Sequence, residues 1–160
     1  MWIDLPNLWI IILNVLGIPS AHMLLSWLCT NIPSACFQNR SKSATTNLNP
    51  IYERIFFIRK WKHLLPDAAP WFKGFSKGKL TSTDPTYLNQ FIVETKRGEF
   101  SHWLQWIVIS GFILWNPYPA NIIILGYAAF SNVPCILNLR YTRKRLTRVT
   151  TKKTKRPPNG

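Results

Sequence analysis

The stretch YPANIIILGYAAFSNVPCILNL (Tyr118–Leu139), followed at once by RYTRKR (Arg140–Arg145), decides the fold. It runs for about 22 residues without Asp, Glu, Lys or Arg and then turns abruptly basic. A helix needs about 20 such residues to cross the hydrocarbon of a bilayer. Two further apolar blocks lie upstream, at about 8–30 and 100–116. The middle block is short by itself; it draws on the preceding YLNQFIV (Tyr87–Val93) or sits where the bilayer is thinned. Three buried core helices of a soluble protein are the alternative, but too few amphipathic segments remain to wrap them. The reading is an all-α integral membrane protein with about three transmembrane helices and a cytoplasmic interfacial helix.

Charge placement orients it. Of the 20 Lys and Arg, eleven fall between Asn31 and Ser101 and nine from Arg140 onward. None precedes the first block, and none lies in WNPYPA (Trp115–Ala120). By the positive-inside rule both basic regions are cytoplasmic, and the N-terminus and the 116–119 turn face outward. The expectation is a single membrane domain over 1–160 in the cell membrane, multi-pass. Its interfacial region would cover 31–99 and its basic cytoplasmic tail 140–160. Because the net charge of +14 follows this topology, it speaks for anionic membrane lipids as partners and against nucleic acid. The N-terminus carries Asp4 instead of a basic region, and its apolar run is too long for a signal peptide, so a retained helix is expected. Cys29, Cys36 and Cys135 have no metal or redox spacing and read as inert thiols; no cofactor or metal is expected.

Pro19 and Gly17 predict a kink in the first span, where His22 is an ionisable group inside the membrane. IYERIFFIRKWKHLL (Ile51–Leu65) mixes aromatic and basic residues as a headgroup-layer helix would, ending near His63 because Pro66 follows. TDPTYL (Thr83–Leu88) predicts a helix start, with Asp84 as N-cap and Pro85 in the first turn, running to Asn116-Pro117. In the third span, Pro134 and Asn132 predict an interruption that lines a cavity.

Three clusters carry chemistry. On FIVETKRGEFSHWLQWIV (Phe91–Val108), a step of about 100° per residue puts Glu94, Gly98, Ser101, His102 and Gln105 on one side, with Glu99 at its edge. Arg97 can pair with Glu94, and Glu99 with His102. The bland reading is a solvated helix entrance; a stripe running on into a span points instead to a functional cavity. In RKWKHLLPD (Arg59–Asp67), His63 and Asp67 have the HxxxD spacing of several acyltransferase classes, in which His takes a hydroxyl proton. Beyond the last span, Arg140, Arg143 and Arg145 are placed to bind a phosphate. A metal reading of Glu99 and His102 lacks a second Glu-x-x-His pair.

Together RKWKHLLPDA (Arg59–Ala68), ETKRGEFSHW (Glu94–Trp103), and NVP (Asn132–Pro134) followed by RYTRKRL (Arg140–Leu146) resemble the glycosyl-4,4'-diaponeurosporenoate acyltransferases. The resemblance covers roughly Phe56 to Leu146. It implies a small membrane enzyme of staphyloxanthin-type carotenoid synthesis that esterifies the primary sugar hydroxyl of a glycosylated carotenoid with a fatty acyl group. The expected partners are a glycosylated carotenoid or glycolipid acceptor and a fatty acyl donor.

For such a membrane O-acyltransferase the candidate catalytic residues are His63 with Asp67, and as the rival base His102 with Glu99. Glu94, Arg97, Asn132, Arg140 and Arg143 are the substrate-binding candidates: the arginines for the donor's phosphate-bearing part, Glu94 for sugar hydroxyls or for holding Arg97, Asn132 for the lipid slot. No Ser or Cys stands in a nucleophile context, which favours direct transfer. The competing classes are a non-catalytic membrane adaptor organising carotenoid or lipid enzymes, and a metal-dependent lipid-modifying enzyme.

Overall fold

The computed structural model describes residues 2–38, 69–77 and 80–154. Among these there are helices and no strand. The central helix starts at Asp84, whose carboxylate accepts from the backbone N–H of Thr86 at 2.9 Å and of Tyr87 at 3.1 Å. The cap satisfies two N–H groups that the first turn would leave unpaired, and Pro85 has no N–H to satisfy. This helix, α2, runs Pro85–Ser110 and tightens into a 3-10 turn at Gly111–Leu114. Before it comes α1, Asn7–Asn31, and after it α3, Ala120–Thr154. α2 packs against both neighbours, most extensively α3.

Two sequence features act differently from expectation. The first span does break near Gly17 and Pro19, but as a π-helical turn, Leu13–Gly17, that ends just before the proline. A π turn absorbs the extra residue where the α-helical ladder would need the missing proline N–H. Gly17 also admits α2, since a Cβ there would lie 3.1 Å from the Phe112 ring. The interruption expected at Pro134 does not occur: α3 passes through it unbroken and continues beyond Arg140 to Thr154. An interior proline costs a helix about 3 kcal/mol. Contacts to α2 on both sides of Pro134, at Asn132 and at Arg140, hold the helix across it.

Two apolar layers join the helices. One contains Ile109, Phe112, Ile124 and Ala128, with Ile18, Trp106 and Trp115 against it. The other, at the opposite end of α2, contains Leu88, Phe91 and Leu146, flanked by Phe75, Tyr87 and Ile92. Between them the interior is polar: Glu94, Thr95, Glu99, Ser101, Gln105 and Asn132 are buried. The outside is apolar, with Trp9, Leu24, Trp27, Ile107, Ile123 and Phe130 exposed. α1 and α3 are each long and apolar enough to cross a membrane. At 35 residues α3 is about 52 Å long, more than the ~30 Å thickness of a bilayer's hydrocarbon. Trp2 and Ile3 both donate their N–H to the Leu114 carbonyl, which puts the N-terminal segment at the same end as the 115–119 turn.

Candidate active site

Side-chain hydrogen bonds tie the three helices together at two depths. Near the N-terminal end of α1, Asn14 and Asn116 exchange amide hydrogen bonds of 2.7 and 3.0 Å, and Asn116 also donates to the Phe112 carbonyl at 2.8 Å. Deeper, His22 Nδ1 is 2.9 Å from Gln105 Oε1, and Tyr127 Oη is 3.2 Å from His22 Nε2. Gln105 Nε2 donates to Ser26 Oγ and Ser101 Oγ, which turns its carbonyl oxygen toward His22. A neutral imidazole completes this pattern, donating from Nδ1 and accepting the tyrosine proton at Nε2. The His22 side chain singled out in the sequence is thus bonded at both ring nitrogens, to residues of α2 and α3.

One turn along α2, His102 Nδ1 lies 3.0 Å from Asn132 Oδ1. The Asn132 amide is oriented by its own bonds: Nδ2 donates to the Ala128 carbonyl at 3.0 Å and to Ser131 Oγ at 3.1 Å. Its oxygen can therefore only accept, so His102 Nδ1 carries the proton and Nε2 of the neutral ring keeps its lone pair. Asn132, expected to line a lipid slot, is fully buried and serves the histidine instead.

Glu99 does not pair with His102. Its Oε1 accepts from Arg140 Nε and its Oε2 from Arg143 Nη1, the latter at 2.7 Å. Burial alone would raise the Glu99 carboxyl, but the Arg140 hydrogen bond and the Arg143 charge outweigh it and hold the group below the ordinary carboxylate range. Arg140 also lies over the Trp103 ring, 5.8 Å from its centroid. Gly98 faces α3 beside this join: a Cβ there would sit 3.1 Å from Leu139 Cδ1, the tip of that side chain. Glu94 is buried, held by Arg97 at 3.1 Å and by Gln90 at 3.3 Å. Arg97 in turn lies over Phe37, 5.9 Å from its centroid, with its Nε buried and without an acceptor among the described residues.

The structure therefore brings Glu99, Arg140 and Arg143 together, and His102 with Asn132 beside them. Glu94 and Arg97 form a separate pair. His63 and Asp67 lie outside the described residues. Among the described residues no group of three or more His, Cys, Asp and Glu could hold a metal ion. Asn14, Ser26, Asn116 and Tyr127 escaped the sequence reading, and so did Lys96, whose Nζ donates to the Phe37 carbonyl at 3.2 Å. For the two asparagines the signal was present: each is an amide at an apolar span's end or interior.

The sequence model of the family described as glycosyl-4,4'-diaponeurosporenoate acyltransferase matches residues 33–152. A protein of that name from Staphylococcus aureus (strain bovine RF122 / ET3-1) is 33% identical over 101 residues, covering 61% of this chain and 59% of its own. One from Staphylococcus haemolyticus (strain JCSC1435) is 35% identical over 97 residues, covering 60% and 56%. The chain thus spans less than two thirds of the length of these curated relatives. No solved structure matches.

Proposed function

The chain belongs to the glycosyl-4,4'-diaponeurosporenoate acyltransferase family, and on that premise we propose that it is a multi-pass cell-membrane O-acyltransferase. It moves a fatty acyl group onto the sugar hydroxyl of a glycosylated carotenoid or related glycolipid, at the cytoplasmic face. The observation that carries this reading is the orientation of His102. Asn132 holds Nδ1–H, so Nε2 is the base.

In the reaction Nε2 takes the proton of the sugar hydroxyl as its oxygen attacks the acyl carbonyl. The tetrahedral intermediate collapses, the bond from the carbonyl carbon to the donor's leaving group breaks, and Nε2–H returns the proton to that group. Transfer is direct, with no acyl-enzyme. Asn132 stabilises the imidazolium through Nδ1–H, a role a neutral amide fills by orientation more than by charge. Glu99 acts on the arginines, and Glu94 holds Arg97 rather than a sugar. His63, with Asp67, is the rival base.

Lipid mass spectrometry on cells making the wild-type protein, His102→Ala or His63→Ala tests this. A glycosyl carotenoid or glycolipid that gains an acyl mass only with active protein is expected, and it should vanish in His102→Ala. Loss in His63→Ala alone would transfer the base to His63. No acylated species in any strain would remove the enzyme reading and favour the adaptor.

A further inference from the structure

Where Glu99 meets Arg143, α2 and α3 leave an open groove lined by Lys96, Glu99, Phe100, Trp103 and Arg143. Its polar lining is Glu99, Lys96 and Arg143, and Arg140 binds the same Glu99 carboxylate from α3. Glu99 neutralises one of these cations and the excess is positive. The cations are not equivalent. Arg140 is spent between Glu99 and Trp103, and Arg97 is turned away onto Glu94 and Phe37. Lys96, which gives one hydrogen bond to the Phe37 carbonyl, and Arg143, which gives Nη1 to Glu99, are the two that line the groove, and each carries further N–H groups. Its other wall is apolar: Phe100 and Trp103 are 46% and 37% exposed. An anionic head with an apolar chain matches both walls at once, and phosphate esters are the anions that Arg and Lys bind best.

We infer that this groove is a phosphate-ester subsite in which Lys96 and Arg143 grip the anionic end of the acyl donor while its chain leaves over Phe100 and Trp103. The inference rests on the acyltransferase reading and names the donor's chemical class: a phosphate-bearing acyl compound, either a coenzyme A thioester or a membrane phospholipid. Glu99 is the positioning residue that keeps Arg143 extended toward the groove. The Lys96 amine is held below its ordinary range, by burial and then by the charge of Arg143. An arriving phosphate would offset both effects.

The test uses the full chain in a maltoside detergent, which carries no phosphate. Titration with coenzyme A and, separately, with short-chain phosphatidylglycerol or its uncharged diacylglycerol counterpart is followed by calorimetry. Saturable binding of coenzyme A alone would identify a soluble thioester donor, and of phosphatidylglycerol alone a lipid donor. In either case Lys96→Gln and Arg143→Gln should each weaken binding about tenfold, the size of one lost charge-assisted contact. Arg148→Gln, which removes an equal charge from the same helix outside the groove, should change it little. Absence of saturable binding to either phosphate probe, or equal weakening by Arg148→Gln, would overturn the subsite. Acylated product in cells, scored separately, shows whether the transferase reading survives that result.

Discussion

Glu99 Oε2 on α2 and Arg143 Nη1 on α3 stand 2.7 Å apart, and Arg140 binds the other oxygen of the same carboxylate. Removing the carboxylate leaves two adjacent guanidinium groups facing each other. Glu99→Gln should therefore destabilise the protein by about 1–3 kcal/mol, toward the low end because Arg140 is 40% exposed. The acid response should change as well. The Glu99 carboxyl is held below its ordinary value of 4.5, so its stabilisation is complete above that pH and is lost as pH falls through the lower folded value. The melting temperature in detergent should fall in acid more steeply for the wild type than for Glu99→Gln. Parallel curves would mean that the carboxylate contributes nothing.

Asn132 gives a sharper test of the base. Asn132→Ala frees His102 to adopt the other tautomer and should lower kcat about 10–100-fold with KM little changed. Asn132→Asp places a carboxylate against Nδ1–H, which favours the protonated ring. The acid limb of the rate profile should move to higher pH. A purely structural asparagine would lower stability in both variants and leave the limb in place.

The Asn14–Asn116 pair should show modest non-additivity. Either residue changed alone to Leu strands the partner amide in an apolar layer and should cost about 1–3 kcal/mol. The double change should cost less than the sum, because no amide is left unpaired. Unfolding of the four proteins in mixed detergent reads the coupling, which in membrane helices averages about 0.6 kcal/mol.

Gly98 should tolerate one carbon and no more. In Gly98→Ala the new Cβ meets the tip of Leu139, which can shift, and the helix gains about 1 kcal/mol of propensity. Stability should change by less than about 1 kcal/mol. Gly98→Leu must push α3 away, parting Glu99 from Arg140 and Arg143. It should abolish acylation while the protein still inserts into membranes.

Topology is checkable with reporters. A fusion after Thr154 should report the cytoplasm, and one ahead of Trp2 the outside, since all 20 Lys and Arg lie in the two regions assigned inward. Both reporters outside would reverse the placement of the site.

The sequence by itself determined the helical class, the Asp84 start of α2 and the polar stripe from Glu94 to Gln105, because hydrophobic length, capping chemistry and helical period act over a few residues. Of the three apolar blocks it marked, the first and third lie in helices long and apolar enough to cross a membrane. It also marked Arg140 and Arg143, which the structure brings together at Glu99. Partnership was beyond it. Glu99 seemed to belong to His102, its neighbour on the helix, yet it binds Arg140 and Arg143, and His102 binds Asn132. The reason is competition among contacts from different helices. An i,i+3 pair on one helix contributes a few tenths of a kcal/mol. Two guanidinium donors brought in by the tight α2–α3 approach at Gly98 contribute more. The same packing carried α3 straight through Pro134, where local propensity alone demanded a break. Spacing along the chain showed which residues carry charge and which segments are apolar; the crossing of α2 and α3 decided which of them meet.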